Sequence, residues 1–467
     1  PLWSTSGIPT LSKETGLPRT LNGGTMTRWI MHNKKMTRQL NVYEASMGRL
    51  KALFDHFDYV YVSFSGGKDS GVLLNLCVEY IRKHAPGRKL GVMHMDYEAQ
   101  YRQTTEYVER TLSANSDILE VYHCCVPFKV TTCTSMYQSF WRPWEEDKRE
   151  LWVRERPEGC YTAEDFSFYG DGLWDYDFQT LFAPWLRQKK GCRRICCLVG
   201  IRTQESYNRW RAVHSDKNYR YLYNYKWTRR IDRDIYNAYP IYDWKTTDIW
   251  TAYGRFRWDY NRLYDLYYQA GVPLARQRVA SPFISEAIQS LAVYRAVDPD
   301  TWGRMVSRVN GVNFAGLYGC TVAMGWRSVK CPSGFSWKEY MYFLLDTLPE
   351  STRRNYLDKL DVSVRFWRNR GGCLSGGTIA KLRDAGIAFT VGGPSAYRTD
   401  KYPVRMEYLD DIDIEEFREI PTYKRMCICI LKNDHVCKYM GFALTKREKE
   451  LKDEVMKKYK SLKHGKI

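Results

Sequence analysis

Ser65-Gly66-Gly67-Lys68-Asp69-Ser70 sets two residues without a Cβ, a cation, a carboxylate and two hydroxyls at six consecutive positions. That combination suits a polyanion. The glycines let backbone N–H groups close around phosphate oxygens, Lys68 supplies a full positive charge, and Ser65 and Ser70 add donors. A helix starting near Asp69 would aim its positive end at the same point. Asp69 is the odd member, because a carboxylate facing phosphates needs a cation between them, so Mg²⁺ is expected on it. The apolar run 60–64 before the turn and the run 72–74 after it predict a strand feeding a helix. The expectation is a polyphosphate cradle.

The elements that must position the cradle alternate. Strands are predicted at 59–64, 90–95, 118–124 and 194–201, and helices at 70–83 and around 104–113. A helical pattern over 38–56 precedes them. Strands separated by helices predict an α/β fold with a doubly wound parallel sheet. Ligands in such sheets bind at the carboxyl ends of the strands, where Ser65 and Asp96 fall. A carboxylate placed like Asp96 can hold a ribose hydroxyl or Mg²⁺, or simply cap the next helix. The stretch 125–190, rich in Trp, Asp, Glu, Pro and Gly, interrupts the alternation and reads as an insertion over the active face. From 246 onward the periodicity is helical, including 246–257, 261–270, 351–369 and 423–440. The expected organisation is an N-terminal leader or extension over 1–37, with Met26 as a plausible natural start. A nucleotide-binding α/β domain over 38–260 follows, then a largely helical domain over 261–445 and a Lys-rich tail over 446–467.

At 467 residues the chain can bury a large core. No apolar run approaches the ~20 residues that span a bilayer, and the first residues lack an apolar signal core. Its fourteen cysteines fall mostly in apolar runs such as Ile195-Cys-Cys-Leu-Val199, which predicts reduced, buried thiols in a cytoplasmic protein. A net charge of +19 exceeds what one nucleotide needs and points to a polyanionic partner, RNA or DNA. The stretch 205–245 interleaves cations with aromatics, among them Tyr207, Trp210, Arg211, Tyr225, Trp227, Arg229 and Arg230. Such residues could meet phosphates and stack on bases; a solvated face beside aromatic strands would look the same.

The loop is not the Walker type, which requires Gly-x-x-x-x-Gly-Lys-Ser/Thr. It resembles the Ser-Gly-Gly-x-Asp-Ser signature of the PP-loop ATP pyrophosphatases. Asp96 and Thr104 match the stretch that follows the second strand in the phosphoadenosine-phosphosulfate reductase branch, whereas Tyr97, Glu98 and Gln103 depart from it. Gly200-Ile-Arg202-Thr-Gln-Glu205-Ser-Tyr-Asn-Arg209 resembles that branch's Gly-x-Arg-x-x-Glu-Ser-x-x-Arg. The segment Tyr239-Pro-Ile-Tyr-Asp243-Trp-Lys-Thr-Thr-Asp248-Ile-Trp250 resembles an architectural motif, with Thr246 or Thr247 expected to cap the next helix. Val364-Arg-Phe-Trp-Arg-Asn-Arg-Gly-Gly372 and the string from Tyr423 to Phe442 are similar to the IbrA/YbdN group.

The resemblance implies an adenine nucleotide alpha hydrolase-like fold that binds ATP, with an acceptor attacking the α-phosphorus and pyrophosphate leaving. In that scheme Ser65, Gly66, Gly67, Lys68, Asp69, Ser70 and Asp96 bind the nucleotide. Lys68, Arg202 and Arg209 neutralise developing charge, Asp69 carries the metal, and Glu205 orients the arginines. The chain lacks the C-terminal catalytic cysteine of true phosphoadenosine-phosphosulfate reductases. The leading expectation is therefore an ATP hydrolase or adenylyltransferase acting on an unidentified acceptor. One alternative is a nucleotide-sensing regulator acting on nucleic acid with a ParB/sulfiredoxin-like, IbrB-like partner. Another is sulfonucleotide reduction or sulfur transfer with an external thiol. Neither an iron–sulfur cluster nor zinc is expected at Cys192, Cys196, Cys197, Cys320 or Cys331, and His435 and Cys437 are read as packing residues.

Overall fold

The computed structural model describes residues 41–205, 209, 213, 221–274, 277–279, 281–284, 288–319, 321, 324, 329–393 and 401–440. The expected leader and basic tail lie outside these residues. So does most of the basic–aromatic stretch between Ser206 and Arg220.

Strands β1 (Tyr59–Ser63), β2 (Leu90–Met95), β3 (Leu119–Cys124), β6 (Ile195–Val199), β7 (Thr228–Asp232) and β8 (Ile235–Ala238) form one sheet in the order β3-β2-β1-β6-β8-β7. All its pairings are parallel except β7 with β8. The expected doubly wound sheet is present, and it is longer by the β7–β8 hairpin. Asp234 turns that hairpin in the left-handed region (φ +61°), a conformation asparagine and aspartate accept more readily than most residues. The hairpin places Arg229 and Arg230 on the antiparallel edge strand.

Alternation along the strands sends Tyr61, Met93, Met95, Tyr122, Cys124, Ile195, Cys197 and Ile235 to one face and into one core. The helix Asp175–Lys190 covers that face, with the Phe182 ring 5.5 Å from Tyr61 and 5.7 Å from Tyr122. The second part of the expected insertion is thus the crossover helix that the fold requires between β3 and β6. Its first part carries the short pair β4 (Val130–Thr131) and β5 (Phe140–Trp141). On the helix Lys68–His84, Tyr80 stacks on Phe54 of the helix Val42–His56, centroids 5.1 Å apart. The Tyr239–Trp250 segment is fastened by Arg49, which donates to the Pro240 carbonyl at 2.7 Å and pairs with Asp243. Lys245, not a threonine, occupies the cap of the helix Thr246–Phe256, and its N–H donates to Asp248 Oδ2 at 2.7 Å.

The core of the sheet continues into the C-terminal half, because Phe283, Leu291, Tyr294, Trp302, Met305, Val309 and Val312 belong to the same cluster as Tyr61 and Tyr122. Beyond it, the helices Trp337–Asp346, Glu350–Asn369 and Tyr423–Leu431 share a second core. That half is largely helical as expected, but it also holds an antiparallel sheet of β9 (Gly372–Ser375), β10 (Phe389–Val391) and β11 (Lys401–Met406). Among the described residues no helix is long and apolar enough to cross a membrane.

Candidate nucleotide-binding site

The strand order reverses between β1 and β6, so the loops leaving these two neighbours diverge and open a crevice at their carboxyl ends. The loop after β1 is the Gly-rich turn; the loop after β6 begins at Gly200. Gly66 adopts φ +71°, where a side chain would be strained, and its carbonyl accepts from Asn261 Nδ2 at 3.0 Å. A Cβ on Gly200 would approach the backbone of Asp69 and Ser70 at 3.0–3.1 Å, so the absence of one lets the two loops meet. The helix Lys68–His84 has no side-chain cap. Its first N–H donates to the Tyr264 hydroxyl at 3.0 Å, and the Tyr253 hydroxyl donates to the Lys68 carbonyl at 2.8 Å. Ser65 Oγ and Ser70 Oγ lie 3.1 Å apart across the turn.

A cavity of about 610 Å³ opens over this crevice, a size that suits a small-molecule ligand. Of the residues predicted from sequence, Ser65, Gly67, Lys68, Asp69, Ser70 and Arg209 line it. Glu205 lines it too and pairs with Arg209. Arg278 adds a cation from the C-terminal half, and Trp174, Asp175 and Tyr176 form a wall at the start of the crossover helix. The indole of Trp174 and the ring of Tyr176 stack at 5.8 Å. Burial pushes the Lys68 ammonium pKa down against the pull of Asp69, and the charges of Arg202 and Arg278 push it the same way. Burial and Arg278 likewise lower Arg209. Crowded, partly desolvated cations of this kind gain most when an anion arrives. On the wall, burial pushes the Asp175 carboxyl up to about 6, although the Tyr97 hydroxyl donates to it at 3.2 Å.

Three expectations change. Arg202 does not line the cavity: it is 2% exposed and lies behind Asp69. Its Nε donates to Asp69 Oδ1 at 2.6 Å, and its remaining nitrogens meet Glu205, Gln204 and Thr246. It holds the acidic members of the site rather than facing a phosphate. The premise for Mg²⁺ on Asp69 also fails in this arrangement. Oδ1 accepts from Arg202 and Oδ2 from Lys68 Nζ at 3.0 Å, so the carboxylate's charge is balanced by the protein's own cations.

Asp96 is turned away from the cavity that its neighbours Met95 and Tyr97 line. Both its oxygens meet the Arg154 guanidinium, and Oδ2 also meets His123 Nε2 at 2.7 Å. Burial alone would raise this carboxyl, but Arg154 and His123 reverse the effect and hold it well below the usual carboxylate range. Asp96 is therefore a buried ion-pair acceptor in this structure. His94, Asp96 and His123 bring three ligand-type atoms within 4.8 Å of one another, yet Arg154 occupies the carboxylate a metal would need. His435 and Cys437 are buried, with His435 Nε2 2.7 Å from the Ser135 carbonyl.

Sequence reasoning missed Asn261, Tyr253, Tyr264, Asp175 and Arg278. Their contribution depends on contacts more than a hundred residues away from the loop in sequence, and no local motif announces them.

Fold and cradle together define a phosphoadenosine-phosphosulfate-reductase-like member of the PP-loop superfamily. Residues 59–270 match the phosphoadenosine phosphosulfate reductase domain, and residues 271–451 match a domain of unknown function, DUF3440. The chain belongs to the family of YbdN from Escherichia coli strain K12, an uncharacterized protein 33% identical to it over 417 residues, covering 88% of this chain and 93% of that one. Among solved structures it is similar to phosphoadenylyl-sulfate reductase from Candida auris in a phosphate complex, at 19% identity over 52% of this chain and 93% of that one, with a TM-score of 0.28. It is also similar to FMN adenylyltransferase from Candida glabrata, at 14% identity over 51% of this chain and 64% of that one, with a TM-score of 0.29.

Proposed function

We propose that the protein binds ATP with its β- and γ-phosphates on the turn Ser65–Ser70 and transfers AMP to an acceptor. An acceptor oxygen forms a bond to the α-phosphorus, the bond from that phosphorus to the bridging oxygen of the β-phosphate breaks, and pyrophosphate leaves. The observation that supports this most is the convergence of Lys68, Arg209 and Arg278 on one cavity at the strand-order reversal. Three cations there can spread the charge that builds on the leaving pyrophosphate; removing one such donor typically costs ~3 kcal/mol of transition-state stabilisation. Arg202 acts one step back by fixing Asp69 and Glu205. The Trp174–Tyr176 wall faces the same space and would receive the base or the acceptor.

A sulfonucleotide is the second reading, favoured by the match of residues 59–270 to the reductase domain. Purified protein incubated with α-³²P-ATP separates the two. Labelled AMP or a labelled adduct with stoichiometric pyrophosphate supports adenylyl transfer. Inert ATP together with tight binding of a sulfonucleotide supports the second.

A further inference from the structure

Cys125 and Cys160 sit against each other away from the nucleotide cavity. Cys125 follows β3 directly and is 1% exposed, whereas Cys160, on the segment laid beside it, is half-buried. The backbone fixes their approach. Tyr161 N–H donates to the His123 carbonyl at 2.7 Å, Cys125 N–H donates to the Tyr161 carbonyl at 2.8 Å, and a parallel bridge joins Cys124 to Tyr161. The Cys160 side chain packs against the cluster formed by Cys125, Trp144 and Trp152. Trp144 and Trp152, edge to face at 5.2 Å, pack with Cys125, and Arg156 lies over the Trp152 ring beside Cys160.

We propose that Cys160 and Cys125 form a thiol–disulfide exchange site, with Cys160 attacking an external disulfide and Cys125 resolving the mixed disulfide. The two thiols are dissimilar in the way such a pair requires. Burial pushes the Cys125 thiol far up, so it stays protonated. The neighbouring Cys125 thiol, with the Arg156 charge, pulls Cys160 down to about 7 despite the opposing effect of burial. Cys192 and Cys331, also partly exposed, are pushed up instead.

The chemistry balances with a small disulfide such as oxidised glutathione as the oxidant. The Cys160 thiolate forms a bond to one glutathione sulfur, the glutathione S–S bond breaks, and one glutathione thiolate leaves. Cys125 then attacks the Cys160 sulfur and its proton goes to the second departing thiolate. Two protein thiols are oxidised and one glutathione disulfide is reduced to two thiols. The new bond would close residues 125–160 into a ring that contains Val130 and Thr131 of the cavity wall and Arg154, the partner of Asp96.

The test is incubation of the full chain with oxidised glutathione, acid quenching, intact mass measurement and peptide mapping under non-reducing conditions. The expected result is loss of two hydrogens and a Cys125–Cys160 crosslinked peptide, with any adduct on exposed Cys373 mapping separately. Cys125→Ala should instead accumulate a glutathione adduct on Cys160. A wild-type protein that keeps both thiols while Cys373 reacts, or that retains a stable adduct on Cys160, overturns the proposal. Because the wild-type map alone decides it, a variant that folds poorly does not weaken the test.

Discussion

The exits of β1 and β2 are neighbours at the carboxyl edge of the sheet, and both carry carboxylates set between cations. After β1, Asp69 lies between Lys68 and Arg202 and the assembly opens into the cavity. After β2, Asp96 is closed off by Arg154 and His123, and Glu98 is held more completely still. Glu98 has φ +61° and no exposure; its oxygens accept from the N–H groups of Trp144 and Val153 and from Arg308 at 2.9 and 3.1 Å. The same ingredients therefore make a binding surface in one place and a buckle in the other, and what decides is which segment crosses over them. The insertion supplies Arg154, and the C-terminal half supplies Arg308. Of the residues that depart from the reductase pattern, Glu98 is sealed while Tyr97 lines the cavity.

The largest expected effect breaks the buckle. Glu98→Gln removes the nearer of the two carboxylates that balance the buried Arg308 guanidinium and leaves only Glu145 at 3.3 Å; breaking a buried pair typically costs ~3–5 kcal/mol. Urea denaturation should show that loss; a change below ~1 kcal/mol would mean the exit of β2 is not sealed as described. At the other exit, Arg209→Ala and Arg278→Ala should each lower turnover by about a hundredfold with little change in the urea midpoint, because both face the cavity. Equal loss of stability and turnover would make them structural.

The cavity wall and the buckle should also titrate in opposite senses. Near the cavity, the folded Asp175 carboxyl at about 6 keeps a proton that the unfolded chain has released, so wild-type stability falls as pH rises from about 4 to about 6. Asp175→Asn should gain on wild type across that window. In the buckle, burial and His123 push His94 down to about 4, so the unfolded chain binds a proton that the folded one refuses. Stability then falls as pH drops from ~6.5 to about 4, and His94→Gln should gain on wild type in that direction. Melting temperatures of the three proteins between pH 4 and 7 check both signs. The smallest effect is a rate: alkylation of Cys160 by iodoacetamide should rise with a midpoint near about 7, below the ~8.5 of an ordinary cysteine.

The cradle was legible because its parts are consecutive: six residues carry the turn, the donors and the helix start, and the strand before them is an unbroken apolar run. The parallel strands were legible for the same local reason. What escaped depends on distant partners. Nothing near Asp96 reveals that Arg154 will neutralise it, and nothing near Arg202 reveals that its guanidinium will lie behind Asp69. Strands β7 and β8 carry Arg, Tyr and Asn where an apolar run would have marked them, and they read as a basic face. The helical pattern over 423–440 stops at Leu431, since Asn433 and Cys437 adopt φ +52° and +53°, which ends any helix.

The central claim is that the nucleotide's phosphates seat at the exit of β1 and not at that of β2. Equilibrium dialysis of α-³²P-ATP against wild type, Lys68→Ala and Asp96→Asn, each shown to be folded by circular dichroism, tests it most directly. Loss of a charge-assisted phosphate contact should weaken binding by about tenfold or more in Lys68→Ala, while Asp96→Asn keeps the wild-type affinity. Wild-type affinity in Lys68→Ala together with lost binding in Asp96→Asn would contradict the account.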